Sequence, residues 1–422
     1  MSNAFGKEIN IAFDEMMAGF DDELKASKNV SIYKTDQTMM ARTNDIIWAP
    51  APYIMQSFDG MDQSANFPDA TQLVVPSTIG FEKSSNWKMD AREMRDAMQE
   101  GRLFEKAKQK LASDINIIAL NIMSQGSLTI KRTSALSGFD DVAQCDTLMN
   151  QTGVLGSQRY MGLSSASYNN MASGLIGTAR SFNGGKSDKA FEDGFVGRIS
   201  SFDTYKFDYC NRIGAAAGSG ITINTLDAGL QYYTPAATRV ASTGEFSNVD
   251  NRYQTVTVSS TTSVAANDRF TIANVNNVHQ ITKADQGSLK TFRVVSVDSS
   301  TTMTISPPLI TNQVSNAASA QYQNCVVTSK SATAALVWLN TAAADINPFW
   351  HKDALRLLPG RYAVPDNAGA KILRGTTDQG FEVVFQQQYD MQKMKEFFRV
   401  DVLLGAANVA PEMSGILLGA QT

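Results

Sequence analysis

The stretch NRYQTVTVSSTTSV, residues 251–264, alternates. Val256 and Val258 fall on one face; Tyr253, Thr255 and Thr257 fall on the other. That period of two is the mark of a half-buried β-strand running into a turn. Working outward, short strands are expected at 221–225 (ITINT), 253–259, 268–273 (DRFTIA), 291–297 (TFRVVSV), 302–306 (TMTIS) and 324–329. DSST at 298–301 would close a hairpin. Six strands spaced in this way predict a small antiparallel barrel or sandwich. Its apolar face would be Val256, Val258, Phe270, Ile272, Phe292, Val294, Met303 and Ile305. The flanking chain differs, with helical character over 91–125 and in parts of 141–181. An all-β unit inside such a chain reads as an insertion into a larger domain.

Upstream, residues 7–25 form an amphipathic helix with an apolar stripe of Ile9, Phe13, Met16, Met17 and Phe20. Asp14, Glu15, Asp21, Asp22 and Glu23 are acidic, and most of them lie off that stripe. Pro50, Pro52, Pro68 and Pro76 exclude a helix over 41–80. A long extended hairpin loop is expected there, with no core of its own and therefore lying on a neighbour. The strongest helix follows. Asp90 and Glu93 resemble a capping box. Phe104, Ala107, Leu111, Ile115, Ile118 and Ile122 then recur at spacings of three and four. From 102 to 124 such a helix is about 35 Å long, with Gly126 as its stop. Residues 133–220 are mixed and rich in Gly and Ser. From Ala334 the chain reads as helix-compatible, and 372–404 returns to strand-like pieces, GFEVVFQQQYD and FFRVDVLLG.

Composition narrows the function. The chain has 422 residues, 43% of them hydrophobic, enough for more than one domain and a sizeable core. A net charge of −4 argues against a general nucleic-acid binder, which needs clustered Lys and Arg. KAKQK at 106–110 reads as the solvated side of a helix. No apolar run is long enough to span a membrane. The start, MSNAFGKEINIAFDEMMAGF, lacks the pattern of a secretory signal, so synthesis and use in a cytoplasm are expected. Cys145, Cys210 and Cys325 are far apart and read as three reduced thiols.

No catalytic or cofactor motif survives scrutiny. FNGGKS at 182–187 ends like a phosphate-binding loop, but Arg180 stands where the first glycine belongs and no apolar strand leads into it. The two histidines, His279 and His351, have no Cys or His at metal-ligand spacing. His351, in FWHKDAL, reads as a packing or hydrogen-bonding residue at the start of an element. No metal, cofactor or catalytic residue is expected.

With these landmarks in place, the chain resembles the major capsid (coat) proteins of short-tailed phages of the P-twenty-two type, along essentially its whole length. The resemblance rests on FDEMM (13–17), RTNDIIWAP (42–50) and DAREMRDAMQEGRLFEKAKQKLASDINIIALNIMSQGSLTI (90–130). It continues in VDNRYQTVTVSSTT (249–262), NPFWHKDALRLL (347–358) and GAANVAPEMSGI (405–416). It implies an α+β fold of the HK-ninety-seven type with an inserted β-barrel I-domain. Residues 1–34 would be the N-arm and 51–77 the E-loop. Residues 79–132, with part of 367–400, would be the P-domain around its spine helix. Residues 133–221, with part of 343–422, would be the A-domain. Residues 222–342 would be the I-domain, with a D-loop at about 239–252.

The implied function is assembly, with no enzyme activity. Pentamers and hexamers, a scaffolding protein and a portal at one vertex would build a procapsid in the host cytoplasm. It would expand around double-stranded DNA held without sequence-specific contacts, and no membrane would be involved. The resemblance further implies that Asp14 and Glu15 meet the scaffold. Arg239, Glu245, Asp250 and Arg252 of the D-loop would join capsomers across a local two-fold axis. Two other readings remain open on the sequence: an encapsulin-like cellular compartment, and a glycan- or receptor-binding β module. The second would need an exposed platform from Tyr232, Tyr233, Tyr253 and Tyr322.

Overall fold

The computed structural model describes residues 5–33, 46–64, 67–90, 93, 97–154, 156–179, 196–224, 231–311, 313–364 and 369–422. They form two compact units. One comprises Met1–Ile47, Pro76–Ile122 and Arg356–Ala407; the other comprises Trp48–Val75, Met123–Leu355 and Asn408–Thr422.

The first unit is built on the long helix Ala97–Met123, about 40 Å from end to end. All six residues of the expected stripe are buried. Phe104 explains how the helix is held. Its ring meets Trp87 edge-on at 5.2 Å and lies 5.1 Å from Phe385, while Trp87 stacks on Phe398 at 5.4 Å. These partners lie on adjacent antiparallel strands, Val74–Asp90, Lys395–Asn408 and Glu382–Asp390, paired for example at Trp87↔Phe398 and Gln387↔Phe398. The sheet continues to Lys371–Thr376 on one side, and to Leu355–Pro359 and Ser31–Ile32 on the other. Glu93 Oε2 accepts from the Asp90 amide at 3.1 Å, and the described part of the long helix runs from Ala97.

The N-terminal helix runs Phe5–Ala18, with a second short turn at Phe20–Glu23. It has a place on its own subunit. Phe13, Met16 and Phe20 are buried, and the Phe13 ring lies 6.2 Å from Phe385. Asn116 of the long helix donates to Glu23 O and accepts from the Ala26 amide, fixing the segment's exit.

The second unit has a six-stranded sheet and a β-barrel. The sheet runs in the order Leu128–Lys131, Ser414–Leu418, Asn347–His351, Arg159–Ser164, Phe202–Phe207, Arg198–Ile199. Helices Phe139–Thr152 and Ser165–Ala179 share a core with it that includes Met149, Met161, Met171, Phe202 and Phe349. Gly126 does not end the long helix through a left-handed backbone. It is glycine because an added Cβ would overlap the Ser414–Gly415 backbone.

The barrel follows the order Gln254–Thr257, Thr302–Ser306, Asp285–Val297, Arg269–Val278, Thr333–Trp338, Thr222–Asn224. The isolated bridge Ile223↔Val258 and the bond from the Ser259 amide to Thr222 O close it. Every residue of the expected apolar face is buried in one cluster. The membership differs at one strand. Cys325–Val327 hangs on Arg269–Val278 outside the closed path, and the sixth stave is Thr333–Trp338, within the region expected to turn helical. Residues 344–359 are likewise mostly strand, with one short 3-10 turn: Ala344–Asp345 pairs with Arg212–Ile213, Asn347–His351 joins the six-stranded sheet and Leu355–Pro359 joins the sheet of the first unit.

Candidate assembly surfaces

Buried polar anchors tie the barrel to the chain on either side of it. Arg269 is wholly buried and donates to Gly126 O and, at 2.6 Å, to Ser124 O. Burial and then the like charge of Arg293 hold its guanidinium well below the ordinary arginine value. Lys290 pairs with Glu412 and donates to Asn324 O. Lys283 donates to Gln321 O and Gln323 O, and burial pulls it down to about 8 against the opposing pull of Glu412.

The D-loop has a locked root and a bare end. Asp250 and Arg252 face each other, with Arg252 Nη2 2.7 Å from Asp250 Oδ2, and Arg252 also donates to Asn408 O. Burial lowers the Arg252 value, but Asp250 and Tyr253 outweigh it and leave the value raised. The Asn251 side chain bonds Ala236 on both its amide and its carbonyl, Val249 O and the Tyr233 hydroxyl. Asp250 and Arg252 are therefore engaged inside the subunit.

Beyond this root the chain forms a hairpin, Thr238–Val240 against Phe246–Asn248, with every residue of both strands exposed. Gly244 turns it at φ +82°, with its amide bonded to Ala241 O and the Ala241 amide bonded to Glu245 O. Val240 and Phe246 stand directly opposite, 64% and 77% exposed. Arg239 and Glu245 fall on the other face by alternation. Among the described residues neither has an ion-pair partner. The sequence reading passed over the Val240–Phe246 pair; alternation flanking STG was the signal available for it.

A second bare surface lies along 51–73. Its root is fixed: the Ala51 amide bonds Leu73 O, the Thr71 amide bonds Gln321 Oε1, and the Tyr322 hydroxyl bonds Thr71 O. Leu73, Ile310 and Tyr322 form a small core there with Ala51 and Ile54. Between the two ends Tyr53, Met55, Phe58, Met61 and Phe67 are exposed, Met61 completely. The strand that follows begins at Val74. Asp14 and Glu15 are both exposed on the N-terminal helix.

Among the described residues no group of three or more His, Cys, Asp and Glu could hold a metal. Burial pushes Cys210 and Cys325 up to about 12, and Cys145 well above its ordinary value, so the thiols are poor nucleophiles. His351 is buried and Nδ1 accepts from the Asp353 amide, capping a short 3-10 turn. Residues 182–187 lie outside those described. The four tyrosines form no exposed platform: Tyr322 is buried and Tyr232, Tyr233 and Tyr253 are half-buried. No described helix is long and apolar enough to cross a membrane.

Residues 1–419 match the family model described as P22 coat protein - gene protein 5. The chain belongs to that coat-protein family. It is a phage major capsid protein, a structural component of the virion shell, with the α+β capsid fold and an inserted β-barrel. Among solved structures the chain is similar to a structure from Mycobacterium phage Che8 (9% identity, 94% of this chain and 92% of that one, TM-score 0.45). It is also similar to the capsid of cyanophage P-SCSP1u (10%, 93% and 87%, TM-score 0.45). The CUS-3 coat protein I-domain matches at 34% identity over 29% of this chain and 97% of that one, with a TM-score of 0.21.

Proposed function

We propose that this coat protein self-assembles as pentamers and hexamers, with a scaffolding protein, into a procapsid that expands around packaged double-stranded DNA. The observation that carries the reading is the stretch 51–73, which leaves five large apolar side chains bare between two fixed ends. An exposed apolar run of this kind marks a surface to be covered by a partner, and in a family of shell proteins that partner is another copy. Contacts of this sort are heterologous and close into rings when the rotation allows. Many weak ones add up through multivalency.

In this reading 1–34 is the N-arm, with Asp14 and Glu15 facing the scaffold, and 51–77 is the E-loop. The P-domain (79–132 with part of 367–400) and A-domain (133–221 with part of 343–422) carry the shell. The I-domain, 222–342, presents the D-loop to a neighbouring capsomer, with Asp250 and Arg252 bracing its root and Arg239 and Glu245 on its polar side. A portal complex occupies one vertex. The test is expression of the chain with and without a scaffolding protein, followed by electron microscopy and nuclease treatment. Closed shells of uniform size, formed efficiently only with the scaffold, are the expected result. Soluble monomers under both conditions would end the proposal.

A further inference from the structure

We propose that Val240 and Phe246 form a self-association surface that packs face to face on the same two residues of a second copy of this chain. The inference rests on the shell reading above and gives its D-loop contact a chemistry, which is apolar. Position 240–246 is the pair next inside the bonded pair Ala241–Glu245. It is therefore a non-hydrogen-bonded pair, in which opposing side chains lie closest. Thr238 and Asn248 share its face; Arg239, Ser247 and Glu245 share the other. The hairpin is thus amphipathic across its thickness. One side is built like the inner face of a sheet, yet nothing within the subunit covers it: Val240 and Phe246 are 64% and 77% exposed.

Two further observations select a second copy as the cover. At a two-fold contact each residue near the axis meets its own copy, so any charge there meets its like. The face presented by Thr238, Val240, Phe246 and Asn248 carries no charge at all, and the two charged side chains point the other way. The hairpin is also presented ready-made. A free two-stranded ribbon is marginal in water, but Asn251 clamps both sides of this one, and the Asp250–Arg252–Asn408 linkage holds its base. Little ordering remains to be done on association. Charge on the polar side then serves solubility, while the joint is made by apolar contact.

The test uses the full chain assembled with its scaffolding protein. In a Cys210→Ser background, leaving the two buried thiols in place, Phe246→Cys is treated in assembled particles with a short bis-maleimide. Arg239→Cys on the opposite face is the control. Chain dimers from Phe246→Cys and few from the control are expected. In parallel, Phe246→Ser should lower particle yield at least tenfold at low and at high salt alike, because apolar contacts are not screened. Glu245→Ala should stay near wild type at both. Circular dichroism of unassembled Phe246→Ser checks that its barrel is intact. Dimers from both cysteine variants alike, or from neither, or a normal yield for Phe246→Ser, overturn the proposal. So does a Glu245→Ala defect that grows with salt while Phe246→Ser is unaffected. Failure of the wild-type chain itself to form shells would instead remove the shell reading on which this one stands.

Discussion

Replacing Arg269 by alanine should have opposite consequences in the whole chain and in the barrel alone. In the whole chain the guanidinium is wholly buried and gives two hydrogen bonds to main-chain carbonyls, Ser124 O and Gly126 O. Bonds from a charged donor contribute about 1.5–3 kcal/mol each, so the two sum to about 3–6 kcal/mol. Against this stands the penalty of burying a cation that no carboxylate among the described residues offsets; removing it returns part of a several-kcal/mol desolvation term, leaving a net loss of about 2–4 kcal/mol. The Arg269 amide bond to Asn340 Oδ1 survives the change. Native-state hydrogen exchange is the assay, read on peptides covering 269–278 and 123–131. At about 1.4 kcal/mol per tenfold, protection should fall by about 30- to 700-fold. In an isolated 222–342 fragment the two carbonyl partners are absent, and there the same substitution should be neutral or stabilising in a urea melt followed at Trp338. An equal loss in both settings would refute the reasoning, since Arg269 would then act within the barrel. No loss in the whole chain would refute it as well.

The fragment should fold by itself, because every buried residue of the barrel core except Ile221 lies within it; Phe270→Ala, which removes a ring stacked on Phe292 at 5.7 Å, should cost it about 3–5 kcal/mol. A shift of the urea midpoint equivalent to less than 1 kcal/mol (about a third of the low estimate) would mean that the site collapses around the gap. Lys283 gives a pH signature. Between about 8 and the ordinary lysine value of 10.5 the folded chain holds fewer protons than the unfolded one, so stability should rise with pH across that window. Lys283→Met should flatten that rise in thermal melts; an unchanged slope would assign it to another group. Asp14→Ala should leave monomer melting unchanged, because Asp14 is exposed, while slowing scaffold-assisted assembly through a pair contribution of about 0.2–1 kcal/mol repeated in every subunit. Normal assembly kinetics across a salt series would detach Asp14 from the scaffold.

The parts legible in the sequence were those with a clean period. Phe104 to Ile122 repeats at helix spacing, and Val256 to Ile305 alternates; both sets are buried as read. TAALVW at 333–338 was ambiguous because its alanines suit a helix, and only pairing between Arg269–Val278 and Thr222–Asn224 decides for strand. Asn347–His351 is buried at all five positions, so it has no alternation to read. The anchors Arg269, Lys290 and Glu412 were invisible for a different reason: their partners lie more than a hundred residues away in the chain. Of the candidate contact residues, the charges were seen and the apolar pair between them was not. Polar loops are the common case, and two apolar residues six apart across a turn make a faint signal.

The closing bridge at Ile223↔Val258 bears on the crowded moment of synthesis. An open sheet offers a row of unsatisfied amides and carbonyls to any passing strand. A phage-infected cell fills with copies of a single coat chain, and every copy would offer the same row to every other. By joining its first and last staves the barrel withdraws that offer, and the strand left outside, Cys325–Val327, spans only three residues. Under the proposed shell function, a barrel so closed would leave recognition between copies to side chains on projecting loops, whose contacts can be made, broken and remade while a shell corrects its errors.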